Sequence, residues 1–388
     1  MRKNKIHILY LFLTCLSFSF AACGNDDEPS LPLSARTVLV YVAGDNSLDD
    51  FVADDLAQMK QGIQRVDVNR YNLLVYIDDG SADCRLVRLL ADGSEEVIKT
   101  YPPQNSVGVD VMRGVLADAF DRFRAESYGL VLWSHGDGWL PGTTPTTRWW
   151  GQDLSGHSYL GVPELHTALR SAPHLDFLLF DACFMQAVEV AYELRDRASY
   201  IIGSPTEIPG PGAPYQTVVP AMLSATAAST TATATASAYY TYYADSYNDY
   251  SSEWSYGASV ATVDTDMLDI LADATRAILS AHVPVGESIS TAGLLNYDRR
   301  SSGGKVGYYD LDRLIHSIAT PAEYSAWRTA FDAAVTYAQT TPTNYSMYIG
   351  GGFSMNGFAG LSTYVPGSSS ETNDAYYRQL RWAEAVGW

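Results

Sequence analysis

Basic residues, cysteines and long apolar runs are all scarce in this chain of 388 residues. Lys and Arg total 25 against 44 Asp and Glu, which gives a formal net charge of −19. No basic patch is visible that could neutralise nucleic-acid phosphates or anionic lipid headgroups. The apolar stretch Ile8–Ala22 is too short and wrongly flanked for a stable membrane span. These shortages argue against a nucleic-acid partner and against an integral membrane protein.

The N-terminal segment has the features of an export signal instead. Three basic residues precede the apolar stretch and small residues close it, as in a secretory signal. The sequence FAACG resembles the lipobox of bacterial lipoproteins, in which the cysteine, here Cys23, becomes lipidated; a plain signal with a chance cysteine is the alternative. The acidic run 25–28 resembles the surface-export signal of Bacteroidetes lipoproteins; a solvated tether is the alternative. We therefore expect residues 1–22 to be a lipoprotein signal peptide and 23–35 a lipidated tether at the outer membrane or cell surface. Loss of the three basic residues would take the net charge from −19 to −22.

Four cysteines are present, and only Cys84 and Cys183 lie in the body of the chain, since Cys15 and Cys23 belong to the leader and the lipid site. Two body cysteines do not make a disulfide framework, although an exported protein could form one. We therefore expect at least one of these thiols to be kept free for chemistry.

Apolar runs alternate with helical patterns through the body of the chain, which we take as one domain over 36–388. Continuous apolar runs predict five buried strands at Thr37–Ala43, Asn72–Ile77, Gly129–Trp133, Leu175–Phe180 and Tyr200–Gly203. Helical spacing predicts helices that include Asp49–Ile63, Val111–Phe123, Thr265–Ala281, Tyr308–Ile318 and Glu323–Ala338. This alternation is typical of an α/β fold with a mostly parallel central sheet covered on both faces.

The low-complexity stretch Ser224–Ala238 leaves the organisation of the second half open. It could be a linker that sets off a C-terminal subdomain from about residue 240. It could also be an Ala-rich helix, which the lack of Gly and Pro favours.

Two of the buried runs are followed by reactive residues. His135 and Gly136 come directly after one run, and Cys183 follows the other 48 residues later. The carboxyl ends of neighbouring parallel strands meet at one edge of a sheet, where ligands bind. In caspases the His likewise stands about fifty residues upstream of the Cys. A His beside a thiol can take its proton, and the N–H groups of Gly136 and Cys183 could form an oxyanion hole. Each residue alone is more often an inert thiol or a turn histidine; together they predict a Cys-His dyad.

The same blocks resemble the clostripain family of cysteine peptidases. The segments TVLVYVAGDNSL, LVLWSHGDGW and LDFLLFDACFMQAVEVAYEL carry the resemblance, and later segments extend it over nearly the whole chain from Arg36. It implies a caspase-like three-layer α/β/α sandwich. It also implies a cysteine endopeptidase acting on protein or peptide substrates, with Cys183 as nucleophile and His135 as general acid and base. The alternative is a non-catalytic surface lipoprotein that binds peptide or glycan on the same fold.

The resemblance also suggests how a substrate is recognised. Asp181 matches an acid that helps bind a basic P1 side chain, the residue on the acyl side of the scissile bond, which implies cleavage after Arg or Lys. A hydrogen-bonded turn residue is the alternative for Asp181. A second pocket acid common in the family is replaced here by Pro211, and Glu207, four residues earlier, is the candidate to compensate.

Maturation and metal binding are further expectations from the resemblance. Family members often cut themselves between the His and Cys blocks, which makes Arg148 a candidate self-cleavage site; an exposed loop arginine is the alternative. The chemistry requires no cofactor. Several relatives use structural calcium, but no EF-hand spacing places a site in this chain. The sequence also lacks the zinc motif His-Glu-x-x-His and the Gly-x-Ser-x-Gly elbow, and it does not indicate an oligomeric state.

Overall fold

The computed structural model describes residues 33–81, 83–139, 150–224, 226–248, 257–284, 287–300 and 307–388. Its strands are β1 Ser34–Ala43, β2 Tyr71–Asp78, β3 Cys84–Leu89, β4 Glu95–Tyr101, β5 Ala125–Trp133, β6 Trp150–Asp153, β7 Ser158–Leu160, β8 Leu175–Asp181, β9 Ala198–Gly203, β10 Ser259–Asp264, β11 Tyr308–Asp310, β12 Val335–Thr340, β13 Thr343–Ser346, β14 Gly351–Ser354 and β15 Ser362–Tyr364. Its α-helices are α1 Asp49–Ile63, α2 Val109–Arg122, α3 Val162–Leu169, α4 Val188–Leu194, α5 Tyr215–Met222, α6 Ala228–Asp245, α7 Leu268–His282, α8 Leu311–Ile318, α9 Pro321–Ala334, α10 Glu371–Tyr377 and α11 Arg381–Val386.

A nine-stranded sheet forms the centre of the fold, in the order β12-β10-β9-β8-β5-β1-β2-β3-β4. The five strands from β9 to β2 are parallel to one another. Strands β10 and β3 run against them, and each pairs with an outermost strand. The prediction of a mostly parallel central sheet is therefore confirmed.

The sheet is buried on both faces, as its unbroken apolar strands predict. Along β1, Val38, Val40 and Val42 pack with side chains of α1, α5 and α6. The alternate residues Leu39 and Tyr41 belong to the core on the other face, which α2, α3, α4 and α7 cover. Successive side chains of a strand point to opposite faces, so one strand contributes to both cores. The layers form the predicted α/β/α sandwich.

Two predicted helices are shorter than their sequence pattern indicates. Tyr308–Asp310 is a strand that pairs with β15, and the helix begins only at Leu311. The helix predicted over Glu323–Ala338 ends at Ala334, and the following residues form β12, which pairs with β10. In both places a β-prone segment meets a strand that is distant in sequence, and such pairing overrides local periodicity.

The Ala-rich stretch is a helix, α6, and the residues after it add β10 and β12 to the central sheet. At the other end of the body, β1 begins at Ser34, two residues before the predicted start of the domain. The predicted signal peptide and Cys23 lie outside the described residues. Among the described helices, none combines the length and apolar character needed to cross a membrane.

Candidate active site

Strand order brings the two reactive blocks together. Strands β5 and β8 are parallel neighbours, with Trp133 opposite Asp181 at their carboxyl ends. His135 and Cys183 each follow two residues later, so the structure places both at the same edge of the sheet, as the sequence predicts.

Gly136 lies directly against the cysteine loop. A Cβ atom added to it would stand 2.7 Å from the Cys183 carbonyl oxygen and 2.8 Å from the Ala182 Cβ. Only a residue without a side chain allows this approach. In the described part of the chain, the N–H groups of Gly136 and Cys183 donate no hydrogen bond to another protein group. Neither predicted oxyanion donor is therefore occupied by an acceptor in the described part of the chain.

His135 is held by a residue that the sequence did not single out. Its Nε2 lies 2.9 Å from the Ser47 Oγ, and either atom can be the donor, depending on the imidazole tautomer. The His135 carbonyl oxygen accepts a hydrogen bond of 2.9 Å from the Gly151 N–H. Burial lowers the pKa of His135 below its ordinary value of 6.5, so the ring is a neutral base at pH 7.

The surroundings of the Cys183 thiol favour its protonated form. Burial raises its pKa from 9.0 to about 12, and the negative charges of Glu207, Asp137 and Asp181 act in the same direction. The Ile208 N–H lies 3.4 Å from Sγ and partly opposes the rise. Both shifts favour a resting pair of thiol and neutral imidazole, in which the thiolate forms as a substrate is attacked.

The residue after the nucleophile has an unusual backbone conformation. Phe184 has φ of 62°, in the left-handed region that non-glycine residues rarely adopt, and its N–H donates to the Thr206 carbonyl oxygen at 3.0 Å. Such a conformation costs about 1–3 kcal/mol and persists where the surroundings enforce it. The cysteine loop is thus held in a strained shape.

A cavity of about 350 Å³ opens beside the two reactive side chains. It is lined by Ser47, Leu48, Phe51, Trp133, Ser134, His135, Asp181, Cys183, Glu207, Ile208, Pro209, Gly210, Gly212, Tyr345 and Met347. Both predicted recognition acids, together with the predicted nucleophile and base, border one cavity.

Asp181 is already committed to protein donors. Its Oδ2 accepts hydrogen bonds from the Ala213 N–H at 3.0 Å and the Tyr215 hydroxyl at 2.8 Å, and its Oδ1 accepts one from Tyr239 at 3.3 Å. Burial raises its pKa to about 6, against the lowering effect of these three donors. Asp181 therefore contributes negative charge to the cavity wall while also tying the cysteine strand to α5 and α6.

Glu207 has one carboxylate oxygen to spare. Its Oε1 accepts a hydrogen bond of 3.0 Å from the Met347 N–H, whereas its buried Oε2 has no hydrogen-bond partner among the described residues. Burial raises the pKa of Glu207 to about 7, and the nearby Ser346 hydroxyl, the Met347 N–H and the charge of Arg300 oppose this only in part. A buried acceptor without a partner is suited to a cationic or hydrogen-bonding ligand.

Two residues of the site were missed at the sequence level. Ser47 follows β1, so the rule about carboxyl ends of parallel strands applies to it as well. Asp55 lies on α1 and accepts a hydrogen bond of 2.7 Å from the indole of Trp133, which lines the cavity. Burial raises the pKa of Asp55 to about 8. Only its helical spacing toward the core could have indicated it.

The remaining predicted sites are the self-cleavage site Arg148, the lipidation site Cys23 and a structural calcium site. Arg148 and Cys23 lie outside the described residues. Within the described ranges, no group of three or more His, Cys, Asp or Glu side chains could hold a metal ion.

Known proteins share both this sequence pattern and this fold. The profile of the clostripain family matches residues 40–388. Clostripain of Hathewaya histolytica is 24% identical over 219 residues, which are 47% of this chain and 41% of clostripain, so the chain matches less than half of that relative's length.

Solved structures cover the chain more fully. One is a secreted C11 cysteine protease from Bacteroides thetaiotaomicron in complex with an irreversible peptide inhibitor; it is 44% identical, with a TM-score of 0.83 over 92% of this chain and 99% of that one. An inactive zymogen C11 protease from Parabacteroides distasonis is 34% identical, with a TM-score of 0.77 and the same two coverages. Because the family profile matches the chain from within β1 to its last residue and includes both reactive loops, the chain belongs to the clostripain family, whose members are cysteine peptidases.

Proposed function

We propose that the chain is a cysteine endopeptidase in which Cys183 and His135 act as the catalytic pair. The observation that carries the proposal is the joint placement of the two side chains beside one cavity, with Gly136 packed against the Cys183 carbonyl. Similarity to C11 cysteine proteases, one of them bound to a peptide inhibitor, supports the same reaction.

The reaction follows from the resting protonation states. His135 takes the Cys183 proton as Sγ attacks the scissile carbonyl, and the N–H groups of Gly136 and Cys183 bind the resulting oxyanion. The imidazolium then gives its proton to the leaving amine, the C–N bond breaks and a thioester remains. Water, deprotonated by His135, attacks the thioester, and the proton returns to the departing Cys183 sulfur as the acid product leaves.

The proposal is tested by hydrolysis of fluorogenic peptides that vary at P1. Wild type should turn over such substrates, whereas Cys183→Ala and His135→Ala should fall to background. Cys84→Ala is the matched control, because that thiol is fully buried in the sheet and should not affect turnover. Turnover that survives Cys183→Ala would contradict the assignment of Cys183 and His135 as the catalytic pair. A folded wild-type protein without turnover would indicate a binding protein.

Recognition of Arg or Lys at P1 is supported by the acids in the cavity wall. Glu207 offers a buried oxygen that accepts no hydrogen bond of ordinary geometry from the described residues, and Asp181 adds negative charge to the same cavity wall. Since the pKa of Glu207 is about 7, its charge is lost as the pH falls below that value. The ratio of kcat/KM for a P1 Arg peptide to that for its P1 Gln analogue should therefore be higher at pH 8 than at pH 6. Glu207→Gln should weaken this pH dependence and leave only the part that comes from Asp181, whose pKa is about 6. A wild-type ratio near one at both pH values would reject basic P1 specificity.

Self-cleavage after Arg148 is a second part of the proposal. The interval between the His and Cys blocks holds this basic residue, and one relative is described as an inactive zymogen. Intact-mass analysis should show two fragments for wild type and one chain for Cys183→Ala and for Arg148→Gln. A single intact wild-type chain that is fully active would contradict this.

Export and anchoring complete the proposal. The leader and the FAACG motif support lipidation of Cys23 at the cell envelope, and one relative is described as secreted. Membrane fractionation should place wild type with the envelope and Cys23→Ala in the soluble fraction; equal distribution would contradict lipid anchoring. Structural calcium is proposed from the family resemblance alone, and an unfolding temperature unchanged between excess Ca²⁺ and EGTA would remove it.

A further inference from the structure

A buried arginine outside the catalytic pair links the two reactive loops. The Arg300 side chain is only 10% exposed, and its Nη1 donates to the Asp137 Oδ2 at 2.7 Å. Asp137 stands two residues after His135, so this ion pair fixes the end of the histidine loop.

The same guanidinium contacts the cysteine loop. It lies 5.1 Å from the ring centre of Phe184 and 5.0 Å from that of Tyr348. The Phe184 ring also stacks on Tyr308, whose hydroxyl donates to the Asp137 carbonyl oxygen at 2.8 Å. Phe184 is the residue in the strained left-handed conformation, so Arg300 is one of the groups that hold the strain in place.

Arg300 is itself anchored from outside both loops. The fully buried side chain of Asp298 accepts hydrogen bonds from the Arg300 Nε at 2.7 Å and from its backbone N–H at 3.1 Å. A planar guanidinium can hold two carboxylates and contact aromatic faces at the same time, which a lysine ammonium does less well. The position therefore uses properties specific to arginine.

We propose that Arg300 is a positioning residue that sets the alignment of His135 and Cys183 by holding Asp137 and Phe184 together. This inference rests on the proposed function of the pair. Arg300 does not line the cavity, so it would act on the alignment of the reacting groups rather than on substrate contact.

The charge of Arg300 has a separate effect. Asp137 and Glu207 both raise the pKa of the Cys183 thiol, and Arg300 is paired with Asp137 and close enough to Glu207 to lower that residue's pKa. Loss of the positive charge would leave both acids uncompensated and disfavour the thiolate further. Substitutions that keep or remove this charge can therefore separate its effect on the thiol from the effect of Arg300 on loop alignment.

Two variants separate these effects. Arg300→Lys keeps the positive charge but loses the planar guanidinium that holds two carboxylates at once. We expect kcat to fall at least about tenfold, with KM near wild type, since a misplacement of about 1 Å can cost roughly 10²-fold. Arg300→Met loses the charge as well as the guanidinium, so the rate of Cys183 alkylation by iodoacetamide at pH 8 should also drop. Arg300→Lys should retain the wild-type alkylation rate. Alkylation is followed as the mass shift of the Cys183 peptide.

Arg299→Lys is the matched control. Arg299 is the preceding residue, but it contacts the Phe353 ring at 5.0 Å and the Asn296 carbonyl oxygen at 3.4 Å, away from both loops. It should retain the wild-type kcat. Where Arg300→Met does not fold, Asp298→Asn replaces it: the anchor is weakened, and kcat should fall at unchanged KM.

The outcomes are distinct. A wild-type kcat in Arg300→Lys, or an equal loss in Arg299→Lys, would overturn the inference. An equal alkylation rate in wild type and folded Arg300→Met would overturn its electrostatic part. Absence of Cys183-dependent turnover in wild type would count against the proposed function instead, and the alkylation comparison would still test the role of Arg300.

Discussion

Substitution of Gly136 by alanine should separate the two catalytic loops. The added Cβ would meet the Cys183 carbonyl oxygen at 2.7 Å and the Ala182 Cβ at 2.8 Å. Neither atom belongs to a flexible side chain that could rotate away. The backbone of Gly136 has an ordinary φ, so alanine can adopt it and the effect is purely one of space.

The expected loss of activity follows from the distance by which the two loops must move apart. The contact with the Cys183 oxygen falls short of an ordinary 3.4 Å separation by about 0.7 Å, which the loops must provide by moving apart. A misplacement of about 1 Å at a reacting pair can cost roughly 10²-fold in rate. At about 1.36 kcal/mol per tenfold, this is roughly 2.7 kcal/mol of transition-state stabilisation.

The assay is kcat/KM on a fluorogenic peptide, measured with the unfolding temperature. Gly136→Ala should lose about 10²-fold in kcat/KM while remaining folded, because overpacking of this kind costs about 1–3 kcal/mol. Gly114→Ala is the control: its Cβ would meet nothing within 4 Å, so activity should not change. A folded Gly136→Ala enzyme with wild-type activity would refute the close approach of the loops as a catalytic requirement.

Three further predictions concern stability. Because burial raises the pKa of Glu207 from 4.5 to about 7, its cost to the native state is absent below pH 4.5 and complete above pH 7. Glu207→Gln should thus be more stable than wild type at pH 8, by up to about 3 kcal/mol, and equal at pH 4.5 in chemical denaturation; a gap independent of pH would contradict this. Tyr215→Phe removes a 2.8 Å hydrogen bond to Asp181 and should cost about 1–3 kcal/mol by the same assay, and an unchanged midpoint would refute it. Arg36 is buried and pairs with Asp176 at 2.9 Å, at the end of β1 away from the active site. Arg36→Met should therefore lower the free energy of unfolding by about 3–5 kcal/mol, whereas the folded fraction should keep its kcat. Loss of kcat without loss of stability would contradict this prediction.

The proximity of His135 and Cys183 could be predicted because it depends only on which segments form strands and how far apart they are in sequence. Two apolar runs identify parallel strands, and a spacing of one crossover unit makes them adjacent. The residues that follow them, His135 and Cys183, must then meet at one edge of the sheet. The structure bears out each of these steps.

The supporting contacts could not be predicted in the same way. Ser47 and Arg300 reach the site from segments without periodicity, and their partners are 88 and 163 residues away along the chain. The hydrogen bonds that occupy Asp181 come from Tyr215 and Tyr239, whose roles depend on how two helices pack against the sheet. The strand over Val335–Thr340 likewise depends on a distant partner.

The most direct test of the account is the identity of the residue that a peptide-based irreversible thiol inhibitor modifies. Peptide mapping by mass spectrometry should find the adduct on Cys183, with loss of activity in proportion to labelling. Cys84 should remain unmodified, because its side chain is buried in the sheet whereas Cys183 borders the cavity. The adduct should disappear in Cys183→Ala and form more slowly in Gly136→Ala. Complete inactivation with Cys183 unmodified would contradict the assignment of the nucleophile and the mechanism built on it.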